Sequence, residues 1–276
     1  MSVTAKQVQD LRKMSGAGMM DCKAALAENN ADIDLAFQWL REKGIAKAQK
    51  KSTRDANEGL VSIMSNADGT AIVEVNSETD FVSRNNDFHS LVKKITKLIL
   101  DSKNDYNSVK DEISSTINNA IGVIGENIVF KRSNYIEGNT YSYVHNSLGE
   151  NLGKIGVILT LETETNINLE DVGKNICMHI AASSPKSLDE NSLDSDVIEN
   201  EKNIIKEQLK ESGKPDDIVE KMLSGKMNKF FEEVVLLNQK YVIDPSLTIS
   251  ELLDNVGKEK GTKVNISSFT RYELGE

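Results

Sequence analysis

The sequence predicts an α+β protein. Three observations lead there. Apolar residues recur at helical spacing through the first 44 residues, with no strand-like run among them. After residue 57 the pattern changes to short strand-like runs separated by turn signals. Strands and helices then follow one another in two successive cycles of similar order, with hairpins that imply antiparallel pairing. The chain has 276 residues, enough for two or three domains with substantial cores.

Thr4-Ala5-Lys6-Gln7 has the form of a capping box and opens a first helix, with Val8, Leu11 and Met14 on one face. Gly16-Ala17-Gly18 ends it. A second helix is expected over 20–28, with Ala24, Ala25 and Leu26 small enough for close packing. Asp32 caps a third, whose Ile33, Ala36, Phe37 and Leu40 form one stripe and whose stop is expected at Gly44. Trp39 reads as packing or half-buried surface rather than a ligand stack. Residues 45–57 are polar, basic and weakly periodic, which suggests a linker, helical in part.

Asn66-Ala67-Asp68-Gly69 is a hairpin turn between Leu60/Ile63 and Ile72/Val73/Val75. A polar loop over 76–86 leads to a helix at 87–100, with Phe88, Leu91, Ile95 and Leu98 inward. A further helix at 108–124 carries Val109, Ile113, Ile117, Ile121 and Ile124. Strands are expected at 128–131 and 140–145. The second cycle has a buried-type strand at 155–161 and a helix at 169–182 with Val172, Ile176 and Ile180 inward, ended by Pro185. Two charged helices at 195–211 and 215–237 meet at Ser212-Gly213-Lys214-Pro215, the stop and start signals of a helical hairpin. Thr248-Ile249-Ser250-Glu251 is another capping box, and a strand is expected over 264–273.

Charge and composition exclude several function classes. Lys and Arg number 33 against 43 Asp and Glu, a formal charge of −10. That balance argues against a general phosphate-backbone binder, so no direct nucleic-acid contact is expected. The charge is uneven: residues 1–54 carry +4, so the remainder carries −14. The longest apolar runs, such as 155–161, fall far short of the ~20 residues that span a bilayer, so no membrane partner is expected. A helical pattern begins within a few residues of Met1, without an apolar or Arg-rich leader. Cys22 and Cys177 are remote in sequence and lie in helical patterns. Both features suggest a reducing, cytoplasmic setting.

The search for reaction chemistry returns little. A phosphate-binding loop needs Gly-Lys followed by Ser or Thr, but the Gly-Lys pairs here precede Ile155, Asn175, Pro215, Met227 and Glu259. Gly16-Ala17-Gly18 lacks the third glycine of a dinucleotide fingerprint and follows a helix rather than a strand. His89, His145 and His179 have no ligand spacing among themselves or with the two cysteines, so neither metal nor cofactor is expected. Cys177 and His179 are two apart on a helix and point apart, so a nucleophilic pair would need the fold to create it. The balance shifts from catalysis towards binding.

One stretch stands out. Thr79-Asp80-Phe81-Val82 lies in the strand-to-helix loop, flanked by Glu78 and Arg84. Either Phe81 folds back into the core and Asp80 helps cap the turn, or Phe81 projects as a hot spot worth ~2 kcal/mol when a partner buries it.

The segments Leu11–Leu26 and Val75-Asn76-Ser77-Glu78-Thr79-Asp80-Phe81-Val82 resemble the two signatures of the bacterial translation elongation factor Ts family. Ile124-Gly125-Glu126-Asn127 and the run from Ser212 to Phe230 are similar to two further family blocks, in the same order. The resemblance implies a guanine-nucleotide exchange factor for the GTPase elongation factor Tu, binding its GDP-bound and nucleotide-free forms. The resemblance also implies that it is not an enzyme with chemistry of its own. It implies a ubiquitin-associated-like docking module with its basic linker at 1–54 and a core N-subdomain with the Thr-Asp-Phe-Val loop at 55–140. The core C-subdomain would be 141–276, containing a coiled-coil hairpin insertion at about 186–229. Thr79, Asp80, Phe81 and Val82 would displace the magnesium ion that holds GDP on the partner. Arg12, Met19, Met20, Ile124, Gly125 and His145 match further partner-contact positions; by their own pattern, the Met residues could equally pack the module's helices. The resemblance leaves self-association open, as a homodimer or a 2:2 complex with the partner. Ser77 and Lys226 stand where many members have Cys and Arg, and no counterpart of the C-terminal helical extension of some members is expected after Glu276.

Two other readings remain beside it. One is an adaptor for a ubiquitin-like protein or RNA that uses the +4 segment. The other is an enzyme centred on Cys177.

Overall fold

The computed structural model describes residues 3–165, 167–210 and 215–276. These divide into two compact units. The first holds residues 1–137, 146–155 and 272–276, and the second 138–145 and 156–271.

The first unit begins with three helices: α1 (Ala5–Ser15), α2 (Met19–Glu28) and α3 (Ile33–Lys51). The Thr4–Gln7 capping box forms as predicted, and Gly16 ends α1 in the left-handed region at φ 68°. Val8, Leu11, Cys22, Ala25, Leu26 and Ala36 make a small core of their own. Met14 does not join it. It is 54% exposed and lines a shallow cavity of about 110 Å³ with Phe37, Leu40 and Val123. Ala24 also faces outward, while Ala25 and Leu26 are buried.

Asp32 caps α3 by accepting a 2.9 Å bond from the Leu35 N–H. Gly44 is not the expected stop, because α3 continues seven residues further, to Lys51. The continuation is rich in Ala, Lys and Gln, which are strong helix formers. The absent Cβ serves a crossing instead. α3 packs on α6 (Tyr106–Ile124), and a Cβ on Gly122 would lie 3.3 Å from Gly44 Cα.

Strands β1 (Glu58–Ser65), β2 (Gly69–Ser77), β3 (Ile128–Glu137) and the short β5 (Leu152–Gly153) form an antiparallel sheet in the order β3-β2-β1-β5. The Asn66–Gly69 turn closes as expected, with the Asn66 N–H donating to Gly69 O at 2.9 Å. The face bearing Leu60, Ala71, Val73 and Val75 packs on α5 (Asn86–Asp101) and on Ile113, Ile117 and Ile121 of α6. Strand β3 outlasts its expected end at residue 131, because its whole length pairs with β2. A register shift in that pairing sets Arg132 opposite Glu74. Glu74 is fully buried, and its carboxylate lies 2.7 Å from Arg132 Nε. The same guanidinium donates to Glu273 O and stacks on Tyr272, which draws residues 272–276 into the first unit.

The second unit contains the sheet β4-β6-β7, from β4 (Tyr141–His145), β6 (Ile155–Thr163) and β7 (Val264–Glu273). Helix α7 (Glu170–Ser183) lies on β4, and Gly173 takes the face of the Tyr141 ring. Helices α8 (Ser195–Lys210) and α9 (Asp216–Val234) pack through Ile205, Leu209 and Met227. Ile218 of α9 is 41% exposed. The helix joint expected at 212–214 lies outside the described residues. At the base of the pair, the Leu236 and Leu237 N–H groups donate to Ser187 O and Leu188 O, so the chain leaves and returns at one place. The Thr248–Glu251 capping box opens α10 (Ile249–Lys260). Among the described residues, no helix is long and apolar enough to cross a membrane.

Candidate functional site

At the end of β2 the chain makes a sharp change of direction. Ser77 is buried, and its hydroxyl donates to Thr79 O at 3.1 Å. Residues Asp80–Ser83 form a one-turn helix, α4, which the sequence pattern did not reveal because four residues show no periodicity. The turn closes on itself: the Ser83 hydroxyl donates to Asp80 O at 2.8 Å, and the Asn85 N–H to Val82 O at 2.9 Å. Asn85 in turn caps α5 through the Asp87 N–H.

The two readings of Phe81 separate here. Val82 and Ser83 are the buried members of the turn, and Phe81 is 81% exposed. Asp80 is half-exposed and faces Arg84 at 3.7 Å, a pair too open to contribute much to stability. Phe81 is therefore an aromatic held outside the core while the next two residues of its turn, Val82 and Ser83, are buried.

Groups from elsewhere in the first unit hold this turn at both ends. Glu126 accepts from the Thr79 N–H at 3.0 Å and from the Thr79 hydroxyl at 2.6 Å. Glu78 returns the arrangement, accepting from the Asn127 N–H at 2.6 Å and lying 3.4 Å from the Arg54 guanidinium. The Asn127 side chain donates to Arg54 O, and Lys51 Nζ donates to Gly125 O. At the far end, His89 Nε2 lies 2.8 Å from Ser83 O; with only a carbonyl to meet, that nitrogen carries the proton.

The fold thus gathers Thr79, Asp80, Phe81 and Val82 beside Ile124 and Gly125, through Glu126. Gly125 is exposed, with φ 88°, where it ends α6. Arg12 is exposed at the last turn of α1. Met19 and Met20, 45% and 77% exposed, open α2 and do not pack its core. His145 belongs to the second unit, where it is exposed and its Nδ1 lies 3.1 Å from the Tyr143 hydroxyl. Glu126 and Asn127 stand in a block that the sequence singles out, but no periodicity or spacing marks their link to residues 78–79; His89 carried no signal either.

The fold does not create the Cys177–His179 pair. Both are buried, and burial pushes the Cys177 thiol up, away from the reactive thiolate. His179 spends both nitrogens elsewhere, on Gln239 Oε1 at 2.9 Å and on the Val242 N–H at 3.2 Å. Among the described residues, no group of three or more His, Cys, Asp or Glu could hold a metal ion.

A projecting aromatic on a braced turn has the anatomy of a protein-contact site. A family model described as elongation factor TS matches residues 78–276. The elongation factor Ts of Bartonella tribocorum is 46% identical over 288 aligned positions, covering 100% of this chain and 94% of that relative. Those of Paracoccus denitrificans and Brucella anthropi are each 45% identical, again with full coverage of this chain and 93% and 94% of their own lengths. The chain belongs to the elongation factor Ts family of translation elongation factors.

Proposed function

We propose that this protein is the guanine-nucleotide exchange factor for elongation factor Tu. The single observation that carries the mechanism is the outward Phe81 within the family's Thr-Asp-Phe-Val segment. Phe81 enters the GTPase beside its nucleotide site, Asp80 makes a polar contact there, and the magnesium ion loses its place. Without that cation, the diphosphate charge is poorly neutralised and GDP leaves. GTP then rebinds.

No bond is made or broken by the factor. It acts by differential binding, holding the nucleotide-free GTPase more tightly than the GDP form. Reciprocity requires that it lower GDP affinity by the same factor. The helices within 1–54 act as a ubiquitin-associated-like docking module, with Arg12, Met19 and Met20 on its contact surface. Ile124, Gly125 and His145 add contacts from the core, at 55–140 and 141–276. The helical pair within 186–229 acts as a coiled-coil insertion and a surface for self-association or for the partner, in a homodimer or a 2:2 complex.

Stopped-flow release of fluorescent GDP from elongation factor Tu tests the reading. The wild-type protein accelerates release. Phe81→Ala slows the accelerated rate about thirtyfold, the factor that ~2 kcal/mol of lost aromatic burial represents. Its thermal unfolding stays unchanged, because Phe81 supports no core. No acceleration by the wild type, or full activity of the variant, overturns the proposal.

A further inference from the structure

We propose that Glu126 is a positioning residue for exchange: it holds Thr79 and so fixes the direction in which Phe81 projects. The inference rests on the exchange reading above. Four observations lead to it. First, the α4 turn is one turn long, too short to be stable by its own hydrogen bonds. Second, its N-cap, Thr79, makes no side-chain cap bond within the turn; its hydroxyl turns to Glu126 instead. Third, both oxygens of the Glu126 carboxylate are used on this one residue, at 3.0 and 2.6 Å. Two parallel bonds to one residue fix orientation as well as distance. Fourth, the bonds are reciprocal. Glu78 crosses in the opposite sense to the Asn127 N–H at 2.6 Å, so the segments 78–79 and 126–127 cannot shear past each other without breaking both.

Phe81 stands two residues beyond Thr79 and is 81% exposed, so nothing of its own holds it. An aromatic that must enter a partner gains rate from being held in its bound direction beforehand, since the ordering cost is met before encounter. Glu126 meets that need from α6's end while reaching Phe81 only through Thr79. The half-buried carboxylate acts here by geometry, not by offering charge to the partner.

The experiment is stopped-flow GDP release from elongation factor Tu with the full-length protein and five variants: Phe81→Ala, Glu126→Ala, Glu126→Gln, Thr79→Val and the double Glu126→Ala/Phe81→Ala. Amide hydrogen exchange of the peptide spanning 78–85 is measured alongside. Glu126→Ala is expected to slow exchange about tenfold, the factor that 1.4 kcal/mol represents, and to speed amide exchange in that peptide. Glu126→Gln restores activity to within about threefold of wild type, because an amide can accept from the Thr79 N–H and donate to its hydroxyl. The double variant is no slower than Phe81→Ala alone. Thr79→Val keeps the N–H bond and loses the hydroxyl bond, so it falls between wild type and Glu126→Ala; it also serves if Glu126→Ala melts early.

Full activity of Glu126→Ala overturns the inference. So does a Glu126→Gln as slow as the alanine variant, which would assign the work to charge. Additive losses in the double variant overturn it too, since they would make Glu126 an independent contact. If Phe81→Ala matches wild type, the exchange reading itself fails, whereas the amide exchange still reports whether Glu126 braces the turn.

Discussion

At the scale of single residues, the protein separates side chains that hold it together from one that it holds out. Phe88, similar in chemistry to Phe81 and seven residues away, is fully buried, while Phe81 is the most exposed large apolar side chain among the described residues. Composition cannot distinguish the two; the difference comes from which side of a tight turn each one occupies. His179 is the opposite case, a polar group taken wholly inside. Gln239 accepts from its Nε2–H, and its Nδ1 accepts from the Val242 N–H, so the neutral ring is satisfied on both sides. Burial holds its pKa below the ordinary value, with the Gln239 bond partly opposing. The unfolded chain takes up a proton near pH 6.5 while the folded ring resists it, so this contribution is intact above that pH and is lost as pH falls through it. Urea unfolding measured between pH 7 and 5 should lose stability by up to about 1.4 kcal/mol per pH unit from this residue. In His179→Gln that slope should shrink; an identical slope would assign the acid sensitivity elsewhere.

At the scale of elements, the helix ends are the best-announced features. The capping boxes at Thr4 and Thr248 and the Asp32 cap form where their residue types predict, because a cap is a contact over three residues and needs no distant partner. Gly44 misleads for the complementary reason. A glycine after a helical stripe has the form of a stop, but a glycine at a helix crossing has the same letter, and only the position of α6 distinguishes them. Gly173 of α7 makes the same point more severely. A Cβ there would lie 2.2 Å from Tyr141 Cγ, inside the ring's own contact distance. Gly173→Ala should therefore destabilise the protein by about 3 kcal/mol, although alanine is the better helix former. A lowered urea midpoint with an unchanged slope would show it; a midpoint at or above that of wild type would mean that α7 and β4 yield easily.

For the whole molecule, the proposed function is a matter of coupled equilibria. A factor that works by differential binding has no rate constant of its own chemistry to measure, but it has a closed thermodynamic cycle. Titration calorimetry should give the same factor on both arms: the loss of GDP affinity caused by the protein equals the loss of protein affinity caused by GDP. Unequal factors at equilibrium would reveal a third bound species. The overall charge of −10 belongs to this scale as well. It hides a +4 segment at 1–54, whose long-range field is screened as salt rises.

The chain's local chemistry was enough to specify helices, strands, caps and the Asn66–Gly69 turn, and its signatures were enough to point to the family. These signals are contained within a few neighbouring residues, so a reader of the sequence sees cause and effect together. Folding alone set the outward aim of Phe81, the crossed carboxylates of Glu78 and Glu126, the partners of His179 and the return of residues 272–276 to Glu74 and Arg132. Each of these depends on groups that are 47 to 201 positions apart and meet only when the core closes. A carboxylate has no preferred partner in the linear chain; its partner is whichever donor the packed sheets and helices bring within 3 Å.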